Sequence, residues 1–174
     1  NMEELKLASD SVIPHVRTDI VSYLRESEGF QIDRVQLNSF YNLSNNGYAK
    51  ISAGILEEMF GGIGGEILYR PYQRNFGIGA ELWRVKQRDY DMLFSFRNYT
   101  TTTGHINLYF LEPKSRIQFS LKGGKFLAGD SGINFDFGRR FDSGLSIGAF
   151  FSLTDISKRE FGEGSFDKGF YFNI

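Results

Sequence analysis

Residues 56–70, LEEMFGGIGGEILYR, set two adjacent carboxylates, Glu57 and Glu58, before a glycine-rich knot and a third carboxylate, Glu66. Paired acids beside a backbone cradle for phosphate would be one chemistry for such a stretch. The knot lacks the Lys-Ser/Thr that completes a P-loop, misses the G-x-G-x-x-G spacing, and is followed by no helix start to hold an anion. A turn or bulge that needs positive φ is the expectation instead. In extended chain Glu57 and Glu58 point to opposite faces, so they cannot act jointly on one substrate. A hairpin closing about Gly62 would set Glu58 across from Glu66 at roughly 5 Å, and the two would repel unless a cation intervened or one held a proton.

The other chemistry-bearing residues are sparse. His15 and His105 are the only histidines, cysteine is absent and no HExxH occurs, so neither a metal site nor a cofactor is expected. No G-x-S-x-G elbow appears, so a nucleophilic serine would have to be assembled from unrelated loops. Trp83, the only tryptophan, sits in ELWRVKQRDY beside Glu81, Arg84 and Arg88. It suits stacking on a sugar ring, or equally a place in an interfacial aromatic girdle. Glycan hydrolysis would use paired carboxylates such as Asp91 and Asp136.

The elements that must position these groups are mainly strands. From Val35 onward the hydropathy period is two. NFGIGAELWR opposes Phe76, Ile78, Ala80 and Leu82 to Gly77, Gly79, Glu81 and Trp83. YDMLFSFR, HINLYF, RIQFSLK, INFDFG, GLSIGAFFS and GFYFNI repeat the pattern, and with weaker strands near 35–43, 47–58 and 64–70 give about ten strands. Short connections (MFGGI, KQRD, EPKS, RFDS) are expected at one end and longer ones (PYQRN, TTTT, KFLAGDS, TDISKREFGEGSFDK) at the other, as in outer-membrane barrels. Before the strands, residues 10–26 space Val12, Val16, Ile20 and Leu24 four apart behind Asp10 and Ser11, predicting a short amphipathic helix with Pro14 in its first turn. The expected organisation is an N-terminal helix and linker over 1–33 and a β-meander over 34–174.

Composition agrees with extended structure. The 174 residues include 18 Phe, 9 Tyr and 20 Gly but 3 Pro, at a mean hydropathy of -0.30. Twenty basic against twenty-one acidic side chains leave a charge of -1, which argues against nucleic acid as a partner. No signal peptide or apolar helical span is expected within the chain, but barrel strands escape such scans because only alternate residues meet lipid. The apolar face of the strands is bulky and uniform. The other carries Lys50, Glu58, Glu66, Glu81, Asp91, Arg97, His105, Asn107, Gln118, Lys122, Asn134 and Asp136 among Gly, Ser and Asn. Such a face would line a watery lumen and touch a hydrated glycan, or fill an interior with cross-strand ion pairs.

GILEEMFGGIGGEILYRP, GAELWRVKQRDYDMLF, TTTGHINLYF, LKGGKFLAGDSGINFDFGRRF and TDISKREFGEGSFDKGF resemble the YjbH family, which includes the GfcD proteins of capsule operons. The resemblance runs from about Asp10 to Ile174. It implies an all-β protein, part or all of a Gram-negative outer-membrane β-barrel linked to exopolysaccharide or capsule secretion. It further implies polysaccharide, outer-membrane lipid and periplasmic or lipoprotein partners, and no enzymatic activity. Members of the family are longer than this chain, so one segment of a larger barrel is implied. Two other classes fit the residues: a soluble β-barrel that binds a glycan or lipid, and a carbohydrate-modifying enzyme.

Overall fold

The computed structural model describes residues 19–26, 31–156 and 167–174. A seven-residue helix, α1 (Ile20–Glu26), precedes nine strands: β1 (Val35–Ser44), β2 (Gly47–Ile55), β3 (Phe60–Tyr69), β4 (Phe76–Arg88), β5 (Phe96–Glu112), β6 (Ile117–Lys125), β7 (Ser131–Arg140), β8 (Ser146–Thr154) and β9 (Lys168–Asn173). All nine form one antiparallel sheet in chain order, each strand hydrogen-bonded to the next. This is the meander that the period-two pattern calls for.

Directly opposed residues share a face. One row runs Lys50, Glu66, Glu81, His105, Gly124 and Gly132 across β2 to β7. The next runs Leu68, Gly79, Asn107, Lys122, Asn134 and Ser152 across β3 to β8. Residues one step along each strand build the opposite face, with rows such as Ile67, Ala80 and Ile106, or Phe119, Phe137 and Ala149.

Burial of these faces is inverted relative to a water-soluble sheet. Ser52, Thr103 and Asn107 on the polar face are 1%, 5% and 5% exposed, whereas Leu37, Ile106 and Phe170 on the apolar face are 75%, 58% and 83% exposed. Among the described residues no second layer covers the middle of the polar face, so its burial comes from the sheet curling around it, as twisted sheets do. The polar face is the concave one.

Among the described residues the buried apolar cluster lies at one end of the concavity. Tyr23 of α1, Met59, Phe60, Val85 and Met92 form a buried cluster beneath the 56–59 and 89–95 turns. Asp19 starts α1, its carbonyl accepting from Ser22 N at 3.0 Å and Tyr23 N at 3.2 Å, while its carboxylate accepts from Gln87 Nε2 at 2.6 Å.

Four expectations are corrected. YDMLFSFR alternates like a strand but is mostly a turn: Asp89 N donates to Ser95 O at 2.9 Å, Met92 N to Asp89 O at 3.1 Å, and Met92 takes φ 52°. β5 then runs unbroken through the expected TTTT loop, because consecutive β-branched threonines favour extended chain. With one strand fewer, every later connection changes ends. PYQRN therefore shares an end with EPKS and RFDS, while KFLAGDS and the long TDIS loop lie with the 56–59 turn, so short and long connections are not segregated.

The third correction concerns the glycine knot. The hairpin turns at Leu56–Met59, where Leu56 N and Glu57 N donate to Phe60 O at 3.1 and 3.2 Å, and not about Gly62. Gly61, Gly62, Gly64 and Gly65 lie inside β3. Fourth, helix is described only over Ile20–Glu26, and a longer amphipathic helix is not supported; residues 10–18, with Val12, Pro14, His15 and Val16, lie outside the described residues. β1 and β9 are each paired on one side only among the described residues, so the sheet is open and a closed barrel is not shown.

Candidate functional site

The concave face is where the charged side chains converge. Glu66 and Glu81 are direct cross-strand neighbours on β3 and β4, an arrangement that like charges would destabilise. Two lysines offset it. Lys50 Nζ lies 2.6 Å from Glu66 Oε1, and Lys122 Nζ lies 2.8 Å from Glu81 Oε1. His105 Nδ1 donates to the same Glu81 oxygen at 2.8 Å, with its ring 4.7 Å from that of Phe126. Lys50 Nζ also stands 5.7 Å from the Trp83 ring centroid, a cation–π contact. The result is a ladder of matched charges, with His105 Nε2 and Asn107 Oδ1 buried beside it without partners.

Trp83 is held by its neighbour across the strand. A Cβ placed on Gly64 would fall inside the indole. Glycine lets the ring lie flat on the backbone of β3, where it covers the bare strand. Tyr171 does the same over Gly148 on β8, and its hydroxyl donates to Asp136 Oδ1 at 3.1 Å. Asn134 donates through Nδ2 to Ser152 Oγ at 2.8 Å.

The structure thus places Trp83, Glu66, Glu81, His105, Asn107, Lys122, Asn134 and Asp136 on one concave surface. Three other sequence candidates lie elsewhere. Glu58 is exposed in the 56–59 turn, so its cross-strand approach to Glu66 does not exist; the cation it would have needed, Lys50, serves Glu66 alone. Asp91 organises the 89–95 turn, accepting from Leu93 N at 3.0 Å and Ser95 Oγ at 2.9 Å. Arg97 packs on that turn, its guanidinium 4.1 Å from the Tyr90 ring centroid and 3.6 Å from Asp89 Oδ1. Asp136 shares a row with Gly77, near the other end of β4 from Asp91. The intervening length of β4 puts them some 30 Å apart, beyond any paired-carboxylate mechanism.

The sequence reading assigned no role to Arg88. Its side chain is fully buried and donates to the carbonyls of Ile32 at 2.8 Å, Glu57 at 3.3 Å, Glu58 at 2.7 Å, Leu93 at 2.9 Å, and Met92. Tyr23 Oη donates to the Arg88 carbonyl at 2.7 Å. One guanidinium therefore ties the two turns and residue 32 together over the closed end. The signal was an arginine at the end of a strand pattern, which alone does not distinguish a buried hub from a solvated charge.

The whole chain, residues 1–174, matches a family model described as "Exopolysaccharide biosynthesis protein YbjH". The chain belongs to the YjbH family. A relative in Escherichia coli (strain K12), described as "Uncharacterized lipoprotein YjbH", is 38% identical over 170 residues. The match covers 95% of this chain and 24% of the relative, so the chain spans about a quarter of that protein's length. No solved structure matches the chain. Membership places the chain in a family described by exopolysaccharide biosynthesis.

Proposed function

We propose that the chain forms part of the wall of an outer-membrane β-barrel serving exopolysaccharide or capsule secretion, as a conduit or an assembly platform, without covalent chemistry of its own. The observation that carries this reading is the inverted burial: polar side chains inside the curl, and Leu37, Ile51, Ile63, Ile67, Leu82 and Ile106 exposed outside it. An apolar surface of that extent in water would be an association or aggregation surface, whereas lipid covers it without cost. Outward-apolar and inward-polar alternation is the pattern of transmembrane barrels. The E. coli relative's description as a lipoprotein supports a membrane setting.

On this reading the polysaccharide meets the concave face, lipid meets the convex one, and periplasmic or lipoprotein components meet the ends. The lysine–glutamate ladder neutralises itself, so a hydrated glycan would pass it without a deep binding minimum. The test is expression of the full-length protein, followed by membrane fractionation and electrophoresis with and without heating. Outer-membrane fractionation and heat-modifiable migration are expected. Full solubility without detergent would overturn the reading in favour of a soluble glycan- or lipid-binding β-barrel.

A further inference from the structure

The two ends of the concavity differ. The end bearing the 56–59 and 89–95 turns is filled by the Arg88 hub and its apolar cluster. At the opposite end, a cleft of about 900 Å³ opens between the 45–46 and 70–75 connections. Its rim is built rather than loose. Asn46 accepts from Arg70 N through its carbonyl at 2.8 Å and from Tyr72 N through its side chain at 3.0 Å. Asn75 O accepts from Leu111 N at 2.8 Å, fixing the 70–75 loop to β5.

The chemistry of this cleft differs from that of the ladder. Tyr48 and Tyr109, on the concave face, are 42% and 44% exposed within it, and the Tyr109 ring rests against the bare backbone at Gly77 and Gly79. Arg70 and Arg74 line it, and neither has a carboxylate partner among the described residues. Asp136, the one acid among the described lining residues, already accepts from Tyr171. The cleft therefore offers two planar cations with no carboxylate partner among the described residues, exposed aromatic rings and side-chain amides. Guanidinium forks match carboxylates bidentately, and exposed aromatic faces take the apolar faces of sugar rings.

We propose that this cleft binds a segment of acidic, carboxylate-bearing polysaccharide, with Arg70 and Arg74 pairing its carboxylates and Tyr48 and Tyr109 supporting its rings. The assignment rests on the secretion reading above and gives the glycan its charge class. Selectivity lies at the open end, and the ladder beyond it is neutral. Lipid phosphate would meet the same cations, and convex-face Phe76, Phe110 and Phe119 line the cleft beside concave-face Gly77, Tyr109, Ser120 and Asp136; the glycan is preferred because Tyr48 and Tyr109 offer ring faces on the concave side.

The test uses full-length protein in detergent, checked for heat-modifiable migration, titrated calorimetrically with oligogalacturonate and, separately, with neutral dextran oligosaccharides. Oligogalacturonate is expected to bind and dextran to bind at least tenfold more weakly. The double variant R70Q/R74Q should weaken oligogalacturonate binding tenfold or more, whereas Lys114→Gln, at the same end but outside the cleft, should not. Y109A should weaken it as well. Equal binding of the two glycans, or unchanged binding by R70Q/R74Q, would overturn the proposal. So would binding to anionic phospholipid vesicles that R70Q/R74Q abolishes while oligogalacturonate fails to bind. All three variants alter exposed side chains and should keep the heat-modifiable shift. Protein that keeps this shift but binds no acidic glycan overturns the cleft alone, and protein that never enters the outer membrane overturns the secretion reading.

Discussion

At the scale of single residues, the closed end depends on Arg88. Removing its guanidinium takes the donor from the part-buried carbonyls of Ile32, Glu57, Glu58 and Leu93, and each such loss costs up to about 1–3 kcal/mol where water cannot replace the donor. Arg88→Ala is expected to destabilise the protein by on the order of 3 kcal/mol or more, read as a lowered urea midpoint for loss of the heat-modifiable form. Arg88→Lys should recover only part, because an ammonium cannot spread its donors as the planar fork does. Glu57, in the adjoining turn, gives a pH signature. Burial, with Glu58 nearby, raises its carboxyl above the ordinary 4.5, and its Oε1 has no hydrogen-bond partner. The folded state thus holds its proton to higher pH than the unfolded chain does, so this group's contribution falls as pH rises from about 4.5 through the raised value. Glu57→Gln should flatten that decline, with an unfolding midpoint at pH 7 equal to or above that of the parent. A steeper decline in the variant would contradict this account.

At the scale of elements, β3 and β4 are matched as a smooth backbone to a flat ring. Gly64→Ala is expected to push Trp83 off the strand, shift the protein's lone tryptophan emission to the red and destabilise it by about 1–3 kcal/mol. Gly123→Ala, whose Cβ would meet nothing nearer than 3.7 Å, should leave both properties unchanged. The strands themselves were legible in the sequence because alternation specifies a face, and most of the concave residues followed from it. The segment 89–95 was misread because Tyr90, Met92 and Phe94 alternate as strand residues do, while the turn is decided by tertiary contacts to Arg88 and a left-handed Met92. Arg97 and Asp91 were displaced from the site by that one error. Arg70, Tyr72 and Arg74 escaped notice because a loop has no period to mark what faces inward.

At the scale of the whole molecule, the two faces make opposite predictions for neighbouring positions on one strand. On the proposed outer-membrane reading, Ile133→Lys on the convex face of β7 should cost up to about 2–4 kcal/mol, the value at the bilayer midplane, and reduce the amount assembled in the outer membrane. Asn134→Lys, one residue on and facing the concavity, should assemble at near-parent levels. Equal assembly of the two would show that the convex face does not meet lipid. Closure was the large-scale feature the sequence left open, since alternation is the same in a sheet and in a barrel.

Strand number has a geometric corollary. In an antiparallel meander, first and ninth strands run in the same direction. Zipping β1 directly onto β9 would create a single parallel seam, with slanted bonds in an otherwise perpendicular ladder. Bacterial single-chain barrels keep even counts and so have no such seam. A wall incorporating this sheet therefore satisfies every backbone group in the usual alternating sense only when an odd number of further strands stands between its two edges. Parity, rather than curvature, sets the smallest ring that this sheet can join.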